Sequence, residues 1–293
     1  MESYRLEGQT FVIDDYDRKP AFSSFLPGLA GVKGIPLWTF YTNRGQGMNS
    51  FGIDNKGNAI MEFNSANTAF ENTQVKGFRT FLKIDGEYYE PFFTYEKEAK
   101  RQMRMNKNSF KIIETNEKYG IEVTVNYYVL PNESIGALVR QVSVKNIGDS
   151  AKEVQVIDGL PKIITYGIAN GEFKEMSNLF KSWADIRNLE NKVPYYTLRA
   201  STKDSAEVSD VEGGYYYLTV RDGKLQDVIY DVDTVFGYDL SLMTPVNFID
   251  GSIEGVLAKE QCFANKVPCG FTPFKEVVEP GKELAFDTMM GFA

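Results

Sequence analysis

The sequence predicts an all-β fold in which large antiparallel sheets pack face to face, with one or a few short helices. Segments with an apolar residue at every second position recur along the chain, separated by turn signals, as in strands with one buried face. Aromatic residues, which favour strands, make up 14% of the chain. Strands do not alternate with helices as they do in parallel sheets, so packed antiparallel sheets are the simplest arrangement.

Two Asp-Gly dipeptides predict β-hairpins, because Asp-Gly favours the tight turn that joins neighbouring antiparallel strands. The first hairpin would pair Phe78–Ile84 with Glu87–Tyr95. The second would pair Tyr215–Arg221 with Lys224–Tyr230. Both hairpins therefore fit the predicted all-β fold.

Four further segments alternate apolar and polar residues and are predicted to be strands. Each is preceded or followed by residues typical of turns, such as Pro-Asn and Pro-Gly. In chain order these segments are Ile121–Leu130, Ile135–Asn146, Lys152–Asp158 and Glu283–Met289. The chain contains no linker rich in Pro, Gly or Ser, so residues 1–293 are predicted to form a single domain.

One segment departs from the strand pattern. Apolar residues recur there at helical spacing, which predicts a short amphipathic helix over about Lys174–Arg187. Two interpretations of this helix remain open. It covers one end of a sheet, or it forms an interface with another domain through Phe180 and Trp183.

Composition restricts the partners of the chain. A net charge of −8 and a pI near 4.9 argue against binding to nucleic acid or to an anionic membrane surface. No segment approaches 18 consecutive apolar residues and no secretory signal begins the chain, so no membrane contact is expected. Cys262 and Cys269 are the only cysteines. Such low cysteine usage favours a cytoplasmic location.

There is no histidine among the 293 residues. Ser-His-Asp triads, Cys-His pairs and histidine bases are therefore excluded within this chain. Two cysteines without histidine cannot complete a tetrahedral zinc site, and no glycine-rich nucleotide-binding loop is found, so we expect neither metal nor cofactor. Paired carboxylates remain possible among the 40 acidic residues, but no pair stands out, and no catalytic residue is predicted.

Four residues within one unusual segment are the candidate substrate-binding residues. Trp38 and Tyr41 offer flat apolar faces on which the C–H groups of a sugar can pack. Arg44 and Gln46 offer donors for hydroxyl or carboxylate groups. The alternative is structural: the two aromatic residues belong to the core, and Arg44 pairs with a neighbouring acid to fix a turn.

The same segment carries a family resemblance. Phe25–Gly47 reads FLPGLAGVKGIPLWTFYTNRGQG, and it is followed by SFGID, IMEF and GFRTF at 50–54, 60–63 and 77–81. Together with Val154–Gly167 and Glu279–Lys282, these motifs resemble the N-terminal region of glycoside hydrolase family 94-type phosphorylases. The likeness is strongest to the 1,2-β-oligoglucan phosphorylases and weaker to cellobiose phosphorylase and cyclic β-1,2-glucan synthase. It spans most of the chain.

The resemblance implies a galactose-mutarotase-like super-sandwich that leads, in the family, to an (α/α)6 barrel. In that barrel a single Asp protonates the glycosidic oxygen while inorganic phosphate, the co-substrate, attacks the anomeric carbon. No part of the barrel lies within 1–293, so no catalytic residue is carried over. The implied partners are an oligosaccharide substrate, the chain's own C-terminal catalytic barrel and a second copy in a homodimer.

Two functions are therefore considered. The first is the non-catalytic N-terminal domain of a glycoside phosphorylase, a glycosyltransferase-class enzyme of carbohydrate metabolism. It would act on β-glucooligosaccharides, β-1,2-linked ones above all, and release glucose 1-phosphate, with this domain shaping the substrate cleft and the inter-domain or dimer contacts. The second is a stand-alone carbohydrate-binding or structural β-sandwich. An epimerase or mutarotase is disfavoured because those enzymes use histidine, and a shared fold does not transfer function.

Overall fold

The computed structural model describes residues 3–30, 35–93, 98–176, 179–202, 206–207 and 209–293. In this part of the chain β-strands predominate, and all named strand pairs are antiparallel. The prediction of an all-β antiparallel fold with a few short helices is therefore confirmed.

The strands in the described residues are β1 (Tyr4–Glu7), β2 (Thr10–Asp14), β3 (Ser23–Phe25), β4 (Leu29–Ala30), β5 (Ile35–Thr42), β6 (Met48–Ile53), β7 (Ala59–Met61), β8 (Arg79–Ile84), β9 (Glu87–Tyr89), β10 (Lys100–Met105), β11 (Ser109–Asn116), β12 (Ile121–Val129), β13 (Gly136–Asn146), β14 (Lys152–Leu160), β15 (Ala184–Arg187), β16 (Tyr195–Leu198), β17 (Tyr215–Arg221), β18 (Lys224–Leu225), β19 (Gly270–Val278) and β20 (Glu283–Phe292). The α-helices are α1 (Ala66–Lys76), α2 (Asn170–Met176), α3 (Val232–Phe236), α4 (Val246–Ile249) and α5 (Ile253–Leu257). Short 3-10 helices occupy Tyr16–Arg18, Leu179–Trp183 and Leu189–Asn191.

The strands form one large sheet and two smaller ones. The large sheet has eleven strands in the order β1-β2-β10-β11-β12-β13-β20-β17-β16-β15, with β18 paired to β17. The five-stranded sheet has the order β3-β5-β6-β7 with β4 paired to β5, and the four-stranded sheet has the order β19-β14-β8-β9. Strand β20 thus lies inside the large sheet, between β13 and β17.

Aromatic stacking joins the large sheet to the two smaller sheets. Tyr41 of β5 stacks on Phe110 of β11 with ring centroids 4.3 Å apart. Phe274 of β19 stacks on Phe286 of β20 at 4.4 Å. Strands β11 and β12 alternate buried and partly exposed residues along their length. Their inward faces therefore meet the smaller sheets, and the main hydrophobic core lies between the two layers.

Both predicted Asp-Gly turns are confirmed. Asp85 and Gly86 have φ values of 51° and 88°, and Asp222 and Gly223 have φ values of 50° and 72°. Two successive positive φ angles match the twist of neighbouring strands in a hairpin. The returning strands are shorter than predicted, since β9 and β18 end at residues 89 and 225. Residues 94 and 95 of the first predicted returning strand lie outside the described residues.

The predicted helix over Lys174–Arg187 is wrong for most of its length. Helix α2 ends at Met176, a 3-10 helix occupies Leu179–Trp183, and the remainder is strand β15. Residues 177–178 lie outside the described part. Strand β15 pairs with β16, where Ile186 lies opposite Tyr196. The available sheet edge therefore overrides a helical apolar spacing, because tertiary pairing outweighs local preference.

Helix α1 was not predicted. Ser65 precedes it and Gly77 follows it, but only Ala69 and Thr73 are buried in its eleven residues. Such a helix lies on the surface with a polar sequence and shows no apolar stripe at helical spacing. Its second half packs near β6 and forms one wall of the cleft described below.

Candidate functional site

Three aromatic side chains form a half-buried surface on the five-stranded sheet. Trp38 and Phe40 alternate with buried residues of β5, so they lie on the side turned away from the large sheet. Phe63 follows β7 and completes the group. The ring centroids lie 5.9 Å apart for Trp38–Phe40, 5.9 Å for Trp38–Phe63 and 5.8 Å for Phe40–Phe63. We call Trp38, Phe40 and Phe63 the aromatic face.

The indole of Trp38 is held in one orientation. Its Nε1 donates to the carbonyl oxygens of Asn55 at 2.9 Å and Ile53 at 3.3 Å. A Cβ atom at Gly52, the residue opposite in β6, would lie 2.6 Å from Cζ2 of Trp38. The indole N–H thus has two backbone acceptors, and the lack of a side chain at Gly52 leaves space for the ring to lie flat against the sheet.

Charged groups adjoin the aromatic face. Glu62 accepts from Nζ of Lys162 at 3.1 Å. Nζ of Lys174 lies 4.0 Å from Oε1 of Glu62. Lys174 also donates to the carbonyl of Phe63. Burial lowers the pKa of Lys162, although the carboxylate of Glu62 opposes this change. The Lys162 ammonium additionally lies 4.4 Å from the ring centroid of Phe173, a cation–π contact.

A narrow cleft opens beside Glu62 and Lys162, with α1 as one wall. Asn49 and Asn72 are among its lining residues. The Asn49 side-chain oxygen accepts from Ser50 at 3.2 Å. Within the described residues, the Asn49 amide nitrogen and the whole Asn72 side chain have no hydrogen-bond partner. These groups can therefore bind a ligand hydroxyl or water without breaking an existing contact.

Of the four predicted binding residues, only Trp38 lies on this surface. Tyr41 points into the core, is 6% exposed and stacks on Phe110. Burial raises the pKa of Tyr41. Arg44 donates to the carbonyls of Asn43 at 2.7 Å and Lys19 at 3.1 Å, so it fixes the backbone beside it.

Gln46 belongs to a buried polar cluster. Its Nε2 donates to Thr80 Oγ1 at 3.0 Å, and its Oε1 accepts from Nη2 of Arg140 at 2.5 Å. Gln46 is 4% exposed. The structure therefore does not bring the four predicted residues into a common site. The position of Tyr41 matches the structural alternative, whereas Arg44 fixes the backbone through two carbonyl oxygens where that alternative paired it with an acid.

The two predicted interface residues lie in or beside a smaller hydrophobic cluster. Phe180 is fully buried and packs on Phe173 with ring centroids 4.7 Å apart. Trp183 is partly buried against the same cluster. Trp183 is thus the better placed of the two for a contact outside the domain, and its role as an interface residue stays a prediction.

Sequence reasoning missed the aromatic partners of Trp38 and the lysines beside them. Phe40 could have been found, because it is two residues from Trp38 on a strand and shares its face. Phe63 ends the IMEF motif, where nothing in the sequence marks it as a partner of Trp38. Lys162 and Glu62 lie far apart in the sequence, and a single sequence carries no signal for their pairing.

The aromatic face and its cleft are suited to binding. Flat rings offer dispersion and C–H contacts, and the amides and lysines offer hydrogen bonds. The residues named form no nucleophile–base pair of the kind used in covalent catalysis. Among the described residues, no group of three or more His, Cys, Asp or Glu side chains is placed to hold a metal ion. In the same part of the chain, no helix has the length and apolar character needed to span a membrane.

Comparison with known proteins finds similarity in structure alone. No family model matches the chain, and no curated protein matches it in sequence. Sixty chains of solved structure match. A polysaccharide lyase has 8% identity and a TM-score of 0.46, covering 93% of this chain and 32% of the lyase. A galactose mutarotase-related enzyme from Lactobacillus acidophilus has 10% identity and a TM-score of 0.44, covering 93% of this chain and 97% of that protein.

A protein assigned as a kojibiose phosphorylase, from the human microbiome, is also similar. It has 9% identity and a TM-score of 0.41, with 99% of this chain covered and 33% of the phosphorylase. This chain therefore spans about a third of the length of the lyase and of the phosphorylase.

Proposed function

We propose that this chain is a non-catalytic, carbohydrate-binding domain of a larger carbohydrate-active enzyme. The observation that carries the proposal is the aromatic face. Three rings within 6 Å of one another are kept partly exposed, and a cleft beside them is lined by amide donors that have no acceptor among the described residues. A sugar ring needs this combination, because its C–H groups pack on aromatic faces while its hydroxyls require hydrogen bonds.

The parent enzyme in this proposal is a glycoside phosphorylase that uses inorganic phosphate on β-glucooligosaccharides, β-1,2-linked ones above all. The resemblance of Phe25–Gly47 to family 94-type phosphorylases supports this finer assignment, and Trp38 and Phe40 lie within that segment. The absence of histidine supports a domain without acid–base chemistry of its own. A cytoplasmic location, a homodimer and a contact with a catalytic barrel belong to the same proposal.

Binding is tested by titrating purified 1–293 with β-1,2-glucooligosaccharides of increasing length in a calorimeter. Loss of one ring in Phe63→Ala should weaken binding about threefold to tenfold, since an aromatic contact contributes about 0.5–1.5 kcal/mol beyond its buried area. Phe11→Ala, at a residue 41% exposed on β2 of the large sheet, is the matched control and should bind normally. Equal loss in both variants, or no binding by the unaltered chain, would contradict the proposed site.

Catalysis is tested separately. Purified 1–293 should release no glucose 1-phosphate from the same oligosaccharides with phosphate, because a closed pocket that holds both reactants supplies much of the rate enhancement. A longer parent protein should release it. Turnover by 1–293 that survives repurification would refute the non-catalytic assignment.

A further inference from the structure

A second cleft, distinct from the aromatic face, lies beside the edge strand β9. Its volume is about 340 Å³, within the range of small-molecule sites. Four aromatic side chains line the cleft, and the segment after residue 242 closes the opposite side. The residues used below are Tyr88, Tyr89, Glu90, Phe93, Tyr119 and Met243. We call it the tyrosine cleft.

The rings of this cleft are fixed by their hydroxyl groups. Tyr89 and Tyr119 stack with ring centroids 4.6 Å apart and planes 29° from parallel. The Tyr89 hydroxyl donates to Glu114. The Tyr119 hydroxyl donates to Glu87 at 3.0 Å and accepts from Lys118 at 3.0 Å. A ligand would therefore meet a preformed wall, which reduces the entropy lost on binding.

Glu90 gives the cleft a fixed hydrogen-bond acceptor. Arg79 binds it through two contacts, Nε to Oε1 at 2.7 Å and Nη2 to Oε2 at 2.8 Å, and the Tyr88 hydroxyl donates to Oε2 at 3.2 Å. A carboxylate can accept about four hydrogen bonds, and three are made by these residues. Oε1 therefore keeps capacity for a ligand donor. Burial raises the pKa of Glu90, and the Arg79 guanidinium opposes that change.

Arg79 also fixes the far wall. It donates to the carbonyl of Met243 at 2.8 Å and to that of Leu242. Leu242 has a φ of 61°, a left-handed conformation that is costly for a bulky residue. Asp239 holds the same loop by accepting from the backbone N–H of Thr244 at 2.6 Å. Met243 is 39% exposed, and these contacts hold its backbone at the mouth of the cleft.

We propose that the tyrosine cleft binds a neutral saccharide unit, as a second site separate from the aromatic face. The Glu90 charge is matched by Arg79, so the cleft favours a hydroxylated neutral ligand over an ion. Rings on several sides and one free acceptor suit a sugar, whose C–H faces and hydroxyls alternate. This inference rests on the proposed function only for the class of ligand.

Calorimetry with 1–293 and β-1,2-glucooligosaccharides tests the second site. The unaltered chain should show two sites. Met243→Trp would fill the mouth of the cleft from an exposed position and should leave one site, the one that Phe63→Ala weakens. Val277→Trp, at a residue 58% exposed on β19, is the control and should keep both sites.

Tyr88→Phe provides an independent check that keeps the fold intact. It removes only the hydroxyl that orients Glu90, and the cleft site should weaken about threefold to tenfold, since a hydrogen bond contributes about 0.5–1.5 kcal/mol. A single site that is weakened in Phe63→Ala and unchanged in Met243→Trp and Tyr88→Phe would refute the tyrosine cleft and leave the proposed function standing. A single site lost only in Met243→Trp would support the cleft and refute the aromatic face. Absence of any binding would refute both.

Discussion

Arg140 and Asp158 pair inside the core, with Nη2 of Arg140 2.6 Å from Oδ1 of Asp158 and the side chains 1% and 0% exposed. Arg140 lies on β13 of the large sheet and Asp158 on β14 of the four-stranded sheet, so the ion pair joins the two layers. Thr80 donates to Asp158 at 2.5 Å, and Arg140 donates to Tyr127 and Gln46 at 2.5 Å each. Both charges are thus surrounded by hydrogen-bonding partners, as a buried pair requires.

Removing one partner of this pair should be strongly destabilising. Asp158→Asn leaves the Arg140 guanidinium buried without its counter-charge, which costs about 3–5 kcal/mol in comparable pairs. Urea unfolding followed by circular dichroism measures the change. Glu117→Gln, which removes a pair with Lys100 whose side chains are 75% and 76% exposed, should leave stability nearly unchanged. Similar losses of stability in both variants would contradict the expected role of the Arg140–Asp158 pair.

A second buried group makes stability depend on pH. Glu114 is 1% exposed, and burial together with the neighbouring Asp17 raises its pKa from 4.5 to about 8. Arg101 lies between the two carboxylates, with Nε 2.5 Å from Glu114 and Nη1 2.6 Å from Asp17. Burial is the larger cause of the raised pKa, and the nearby Asp17 carboxylate adds to it, because both disfavour the charged form of Glu114.

This raised pKa gives the sign of the effect. The folded state binds the Glu114 proton more tightly than the unfolded chain, so its contribution is complete below pH 4.5 and is lost as pH rises through about 8. Glu114→Gln should flatten the fall in the free energy of unfolding across that range. Glu122→Gln, on the partly exposed face of β12, should leave it in place. A fall of equal size in Glu114→Gln would show that another group titrates.

Phe180 should matter for the folding of this chain by itself. Its side chain is fully buried against Phe173, so Phe180→Ala creates a cavity and should cost about 3–5 kcal/mol. Leu179→Ala, at the adjacent residue that is 57% exposed, should change stability by about 0.5 kcal/mol or less. An unchanged melting temperature for Phe180→Ala would favour a docking role over a structural one.

Gly52 should be needed to keep the aromatic face in place. A Cβ atom there would lie 2.2 Å from the carbonyl oxygen of Asn58 and 2.6 Å from Cζ2 of Trp38. Gly52→Ala should therefore lower the melting temperature and shift the tryptophan fluorescence. Gly171→Ala in α2, where a Cβ meets nothing within 4 Å, should be neutral or slightly stabilising. Unchanged fluorescence in Gly52→Ala would show that the sheet adapts without moving the indole.

Periodicity in the sequence was a good guide where a strand has one buried and one exposed face. Ile121–Leu130 and Glu283–Met289 were placed correctly to within a few residues, because their alternation reflects their position between core and solvent. Periodicity failed at β15, where apolar residues at helical spacing belong to a 3-10 turn and an edge strand. The edge of β16 decided that structure, and an edge is a property of the assembled sheet.

The candidate site was harder to predict than the fold. Trp38 was found because its segment is unusual. Residue type alone did not separate it from Tyr41, which lies on the same strand but faces the core. The tyrosine cleft depends on Arg79 reaching carbonyls at residues 242 and 243. Contacts over such sequence separations leave no pattern in a single chain.

The interior position of β20 bears on how the protein is made. Residues 283–292 pair with β13 on one side and β17 on the other. During synthesis the ribosome delivers about 5–20 residues per second. Strands β13 and β17 are therefore made before β20, and their inner edges stay unpaired until it emerges. Exposed edges of this kind invite pairing with other chains. Nascent chains should therefore depend on chaperones until residue 292 has emerged, and slower translation of residues 283–292 should lower the soluble yield.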